Sequence, residues 1–301
     1  MQPPRGKPDK VNVHAAWRMA VAGRAAQAYA GNGRLAALTV AGSVGAGLAD
    51  RFSDLELDCY WSSAPGDADR TGPIDALGGE LTGFSEYEQD DQEWGEEYLV
   101  GDLGVTVSNF TTGTVERWLD DVVLNADTAP VKHMRLAALQ RSRPLLGAEL
   151  IASWRDRADT FPVGLASALV RQALVPEVLP GWAARDALAS RGDDLAVRDL
   201  LTRAGQAVVR AVLAVNRVYL PHPLIKWQRH LITGLEVVPE RLAERLESMS
   251  ASPSAEAFRA AEALLEDIAA LAEAHTGADL GAFRQALAER RRPLDPPPAG
   301  P

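Results

Sequence analysis

Apolar and polar positions follow one rhythm up to about residue 130 of this chain and another beyond it. Trp17, Val21, Ala25 and Ala28 recur at helical spacing through residues 12–30. Gly31, Asn32 and Gly33 end that run, which predicts an opening helix. Strand patterning follows at about 35–41 and 54–61. Residues 62–83 are rich in Gly, Pro and Asp and read as a long loop, with room for a short helix at 74–81. Residues 96–100 and 105–110 predict a hairpin turned at Gly101-Asp102-Leu103-Gly104. A helix over 114–125 turns Val115, Trp118, Leu119 and Val122 inward.

From about 130 the strand signals give way to alanine-leucine helices. They are predicted at 131–142, 147–158, 163–174, 193–219, 239–249, 254–275 and 278–291. In the longest, Val197, Leu201, Ala204, Val208, Val212 and Val215 keep helical spacing. The pattern predicts an α+β domain over 11–128, built on a small mixed sheet with helices. An all-α helical bundle over 129–292 follows it. The polar stretch 1–10 and the proline-rich stretch 293–301 are expected to be disordered.

Composition narrows the function. The 301 residues are 47% hydrophobic, enough for a real core, and carry a formal net charge of −10. That charge argues against nucleic acid as a partner. Cys59 is the only cysteine, which excludes a disulfide framework and a cysteine zinc site and fits a reducing cytoplasm. The start MQPPRGKPDK lacks the apolar core of a signal peptide. No apolar run approaches the roughly 20 residues that span a membrane, so a cytoplasmic protein without a membrane partner is expected.

The chemistry-bearing segment is AGSVGAGLADRFSDLELDCYW. An apolar run, Leu38-Thr39-Val40, leads into Gly42-Ser43, and ten residues later comes Asp54-Leu55-Glu56-Leu57-Asp58. Strand alternation puts Asp54, Glu56 and Asp58 on one face. Paired carboxylates at that spacing suit Mg²⁺, which takes few protein ligands and completes its shell with water and phosphate oxygens. A Gly-Ser turn opening a helix offers backbone N–H groups to phosphate. Gly42-Ser43 alone fits an ordinary strand-to-helix turn, and the acids alone fit a solvated strand face. Their joint spacing favours a metal-dependent phosphoryl or nucleotidyl transfer site.

Gly42-Ser43, the ten intervening residues and Asp54-x-Glu56 resemble the core of the DNA polymerase β-like nucleotidyltransferase superfamily. More narrowly, the segment is similar to the small-molecule and antibiotic-modifying nucleotidyltransferases, which carry a helical domain after the catalytic one. The stretch from Leu213 through Asn216, Arg217 and Tyr219 to Lys226-Trp227 resembles that group's helical domain. The resemblance implies that Gly42 and Ser43 hold a nucleoside triphosphate, ATP first among the candidates, and that Asp54 and Glu56 ligate Mg²⁺. It further implies that Lys226 reaches the triphosphate and that the acceptor is a hydroxyl of a small molecule such as an aminoglycoside or lincosamide. The superfamily supplies a third carboxylate from a neighbouring strand. Here Thr106 stands at that position, and Glu97, Asp102 and Asp58 are the candidate replacements, with Glu97 on the partner strand placed first.

Seven acids fall between Glu86 and Glu97. They read either as a solvated loop or as a negative rim for a cationic acceptor. Trp94 within the run fits either a sugar-stacking residue or a loop anchor. The missing third acid keeps open a homologue that binds nucleotide without transferring it, in a sensor, regulatory or toxin–antitoxin role.

Overall fold

The computed structural model describes residues 12–162, 164–251 and 254–294. The expected disorder of 1–10 falls outside them, as does most of 293–301. The chain forms two compact units, residues 1–162 and 163–301.

The first unit is a mixed sheet of six strands in the order β3-β4-β5-β2-β1-β6. The strands are β1 (Leu35–Val40), β2 (Leu55–Trp61), β3 (Glu80–Glu88), β4 (Glu93–Val100), β5 (Leu103–Thr111) and β6 (Arg143–Leu146). Only the central pair, β2 and β5, is parallel, and every other pairing is antiparallel. Two-residue alternation divides the side chains of β2 and β5 between two faces. Leu55, Leu57, Cys59, Val105 and Val107 pack with α1 (Val13–Tyr29) and with Ile74 of α3 (Asp67–Ala76). The opposite face carries Glu56, Asp58 and Tyr60, with Thr106, Ser108 and Phe110 beside them in register. It meets α2 (Gly42–Gly45), α4 (Thr112–Leu119), α5 (Pro130–Arg141) and α6 (Ala148–Ala158).

Asn12 caps α1, its Oδ1 accepting from His14 N at 3.0 Å and Ala15 N at 3.2 Å. The buried stripe of α1 is rotated from the expected one. Trp17 is 45% exposed, while Arg18 is buried because its guanidinium donates to the carbonyls of Ser53 and His14. The four inward residues expected for the next helix are buried, although it ends as α4 followed by a π turn over Asp120–Leu124.

Three expectations are corrected. The stretch 62–83 is not a long loop: α3 occupies Asp67–Ala76 and β3 begins at Glu80. The acidic run is not a loop either, since it forms the β3–β4 hairpin. Strand structure also continues past 130. Four residues, Arg143–Leu146, pair with β1 and hold α5 and α6 in the first unit. The division therefore falls after Pro162 rather than at 128.

The second unit is helical. It contains α7 (Leu165–Val178), α8 (Arg185–Arg191), α9 (Asp194–Val215), α10 (Gln228–Thr233), α11 (Leu242–Ala251), α12 (Ala255–Thr276) and α13 (Gly281–Ala288). The six apolar residues picked out along α9 are all buried. Asn216 closes that helix by donating to the carbonyls of Val212 and Val237, each at 2.8 Å.

A buried polar chain ties the first unit together. Arg70 of α3 pairs with Glu96 of β4, and both side chains are essentially out of water. Arg70 also donates to the Ser85 carbonyl at 2.6 Å. Asn109 of β5 donates to Glu96 at 2.6 Å and accepts from the Trp61 indole of β2 at 2.9 Å. Removing one partner of a buried ion pair leaves an uncompensated charge. Arg70→Leu is expected to lower the unfolding free energy by about 3–5 kcal/mol. Adding Glu96→Leu should recover a large part of the loss, as urea denaturation of the two variants will show.

Candidate functional site

The antiparallel pairing of β1 and β2 sets the end of β1 beside the start of β2, with Val40 opposite Leu57. Ala41 N donates to the Glu56 carbonyl at 2.9 Å. The chain then turns through the single helical turn α2, with Gly42 at φ +55°. A Cβ on Gly42 would lie 2.5 Å from both Glu56 carboxylate oxygens. The glycine thus satisfies two demands, a left-handed backbone and room for Glu56. The Gly-Ser turn and Glu56, separated in sequence, meet at one point. Ser43 is half-buried, and its carbonyl accepts from Leu48 N at 2.8 Å.

Asp54 is exposed and lies just before β2, so the three-acid strand face expected at this point reduces to Glu56 and Asp58. Asp54 adjoins the start of β5, its Cβ 4.0 Å from where a Gly104 side chain would begin. Glu56 is half-buried and Asp58 is buried. Burial pushes the Asp58 carboxyl up to about 7, reinforced by Glu56 and Glu93 and opposed by Arg135. Asp58 lines a small cleft with Tyr60, Phe110, Trp118 and Arg135. Burial likewise raises the Cys59 thiol on the opposite face, as expected of an inert cysteine.

Thr106 sits directly beside Glu56 on β5, and Glu97 of β4 sits beside Thr106. Glu97 shares the face of Glu56 but lies one strand further away, exposed, with its side chain over Gly83. Asp102 is exposed in the β4–β5 turn. Among the described residues, no group of three or more His, Cys, Asp or Glu side chains is arranged to hold a metal ion. Asp54 and Glu56, two residues apart in sequence, are the acids nearest the start of β2. Two carboxylates that leave room for water and phosphate oxygens fit Mg²⁺.

The acidic run does not form one continuous rim. Glu96 is spent on Arg70 and Asn109 in the interior. Glu93 pairs with Arg135 of α5 at 2.6 Å. Glu86, Glu88, Asp90 and Glu97 remain exposed. Trp94 is half-buried and packs its ring 4.6 Å from that of Tyr87. Sequence reasoning missed the partners Arg70 and Arg135, since nothing local to either marks it as facing the sheet.

Lys226 belongs to the second unit. It is exposed in the turn before α10, where its backbone N donates to the Leu224 carbonyl at 2.8 Å. The neighbouring Trp227 is 43% exposed.

No protein-family model matches the chain, and no curated protein matches it. A crystal structure of a nucleotidyltransferase-like protein from Exiguobacterium sibiricum 255-15 is similar over 83% of this chain and 74% of that one, with 13% identity and a TM-score of 0.40. A likeness at that level identifies no function. No described helix is long and apolar enough to cross a membrane.

The crowding of Gly42 against Glu56 is measurable. Gly42→Ala combines a positive φ with steric overlap and is expected to cost about 1–3 kcal/mol. Glu56→Ala removes the overlap but not the positive φ. The double variant should therefore be more stable than the sum of the single changes by at least about 0.5 kcal/mol in a denaturation cycle.

Proposed function

We propose that the first unit binds a nucleoside triphosphate with Mg²⁺ and transfers the nucleoside monophosphate to a hydroxyl of a small molecule. The observation that carries this reading is the close approach of the Glu56 carboxylate to Gly42, which puts an acid against the glycine turn. Asp54 and Glu56 would hold the metal, which would neutralise charge on the phosphoryl group and on the departing pyrophosphate. The backbone N–H groups of the Gly42-Ser43 turn would take phosphate oxygens. The acceptor oxygen forms its bond to the α-phosphorus as the bond to the pyrophosphate oxygen breaks. Glu97, exposed on the same sheet face, is the candidate to receive the hydroxyl proton. An amine-bearing acceptor enters the proposal from sequence alone, through the run of acids from Glu86 to Glu97. Lys226 enters the proposal from sequence alone, as a cation for the triphosphate.

A second reading has an observation of its own. Thr106 occupies the position beside Glu56, and among the described residues no third carboxylate forms a metal-holding group with Asp54 and Glu56. That favours a protein that binds nucleotide and transfers it weakly or not at all.

Labelled ATP, GTP, CTP and UTP, each with Mg²⁺ and a panel of hydroxylated amines, separate the two readings. Product formation supports transfer, and binding without product supports the second reading. Asp54→Asn and Glu56→Gln are each expected to weaken Mg²⁺-dependent nucleotide binding at least tenfold without unfolding the chain. Full retention of affinity in both would remove the metal assignment. Lys226→Ala is expected to raise the nucleotide Kd with no change in Tm, as calorimetric titration and thermal melts can measure.

A further inference from the structure

Phe52 is the most exposed aromatic residue described, at 81%, and lies two residues before Asp54. Two residues span at most about 7 Å of chain. The ring therefore belongs to the same end of the sheet as the Gly42 turn and Glu56. An aromatic side chain left in water gains nothing for the fold, because its apolar area stays hydrated.

The backbone beneath the ring is nevertheless held on several sides. Asp50 Oδ1 accepts from Phe52 N at 2.9 Å, and Ser53 Oγ accepts from Asp50 N at 3.0 Å. Arg18, buried in α1, donates from Nε to the Ser53 carbonyl at 2.9 Å. The Phe52 N–H, joined by the Ser53 hydroxyl and N–H, holds the Asp50 carboxyl below the usual range. The turn is thus fixed to the core while its aromatic side chain points into solvent.

Arg51 determines what such a ring suits. Its guanidinium lies 4.5 Å from the centre of the Phe52 ring, and it makes no ion pair among the described residues. A cation already on the ring disfavours a second one there, so this spot is unsuited to an amine-bearing acceptor. It suits a planar, uncharged ring attached to an anionic group, because the ring can stack on Phe52 while Arg51 faces the negative charge. A nucleotide has that form.

We propose that Phe52 is the stacking platform for the nucleobase, with Arg51 beside it, and that it sets the preference for nucleotide over bare polyphosphate. This deepens the nucleotide reading above and rests on it. The test compares binding of ATP with that of inorganic tripolyphosphate, both with Mg²⁺, to the full-length chain and to Phe52→Ala and Phe52→Trp. Base stacking on an aromatic is worth enough that Phe52→Ala should weaken ATP binding about tenfold. It should leave tripolyphosphate affinity unchanged, and Phe52→Trp should retain ATP binding. Equal losses for both ligands, or no loss for ATP, overturn the platform. If the wild-type chain binds the two ligands equally well, the platform falls while phosphate binding stands. If it binds neither, the nucleotide reading itself fails. Because Phe52 is exposed, thermal melts of the variants should match the wild type, and an unfolded Phe52→Ala would count against the proposal.

Discussion

One carboxylate, held out of water, links four elements of the first unit. Glu96 takes Arg70 on one side and Asn109 on the other, and Asn109 in turn accepts from the Trp61 indole. The chain of contacts runs from α3 across β4 and β5 to β2. A buried charge is tolerable only when its partners are in place, so the network admits few alternative registers. A shift of β4 by one residue would turn Glu96 to the opposite face and leave Arg70 unpaired. The parallel register of β2 and β5 sets Thr106 beside Glu56 and Ser108 beside Asp58. The same register places Asn109 for its bonds to both neighbouring strands.

The two faces of the sheet divide labour accordingly. The α1–α3 face combines an apolar core with one saturated polar chain. On the other face polar groups remain half-buried toward solvent, at Glu56, Thr106 and Ser108. The proposed site lies at the edge of that second face, where the β1–β2 connection folds back on itself. The connection is pinned at several points: Ala41 to Glu56, Ser53 to Arg18, and Asn12 to Ala49 at 2.8 Å. Such pinning suits a loop whose side chains must hold position without burial.

How much of this was legible in the sequence depends on how each residue signals. Strands β1, β2, β4 and β5 were readable because alternation and a Gly-rich turn are local signals. Strand β3 was not, because seven of its nine positions are exposed and so it shows no apolar alternation. Strand β6 has only four residues and includes Pro144, so nothing in it resembles a strand until β1 is there to pair with it. The rotation of α1 could not be foreseen either. Arg18 is buried only because the Ser53 carbonyl, 35 positions away, accepts its guanidinium. For the candidate site, the spacing of Gly42 and Glu56 was visible, but the contact between them is a property of the fold. Asp58 read as one of three acids on a strand face and proves to be buried, since α4 and α5 cover it.

The outermost strands have a further consequence. A sheet of six strands has two open borders, and an open border can recruit another chain. On one border, β3 places Glu80, Glu86 and Glu88 in solvent and breaks its register at two points. A second copy aligned along it would bring like charges together across a poorly matched ladder. On the other border, β6 is short and carries Pro144, which has no N–H to offer. Acids that first read as bait for a ligand therefore also disfavour pairing of the sheet edge with a second copy of itself.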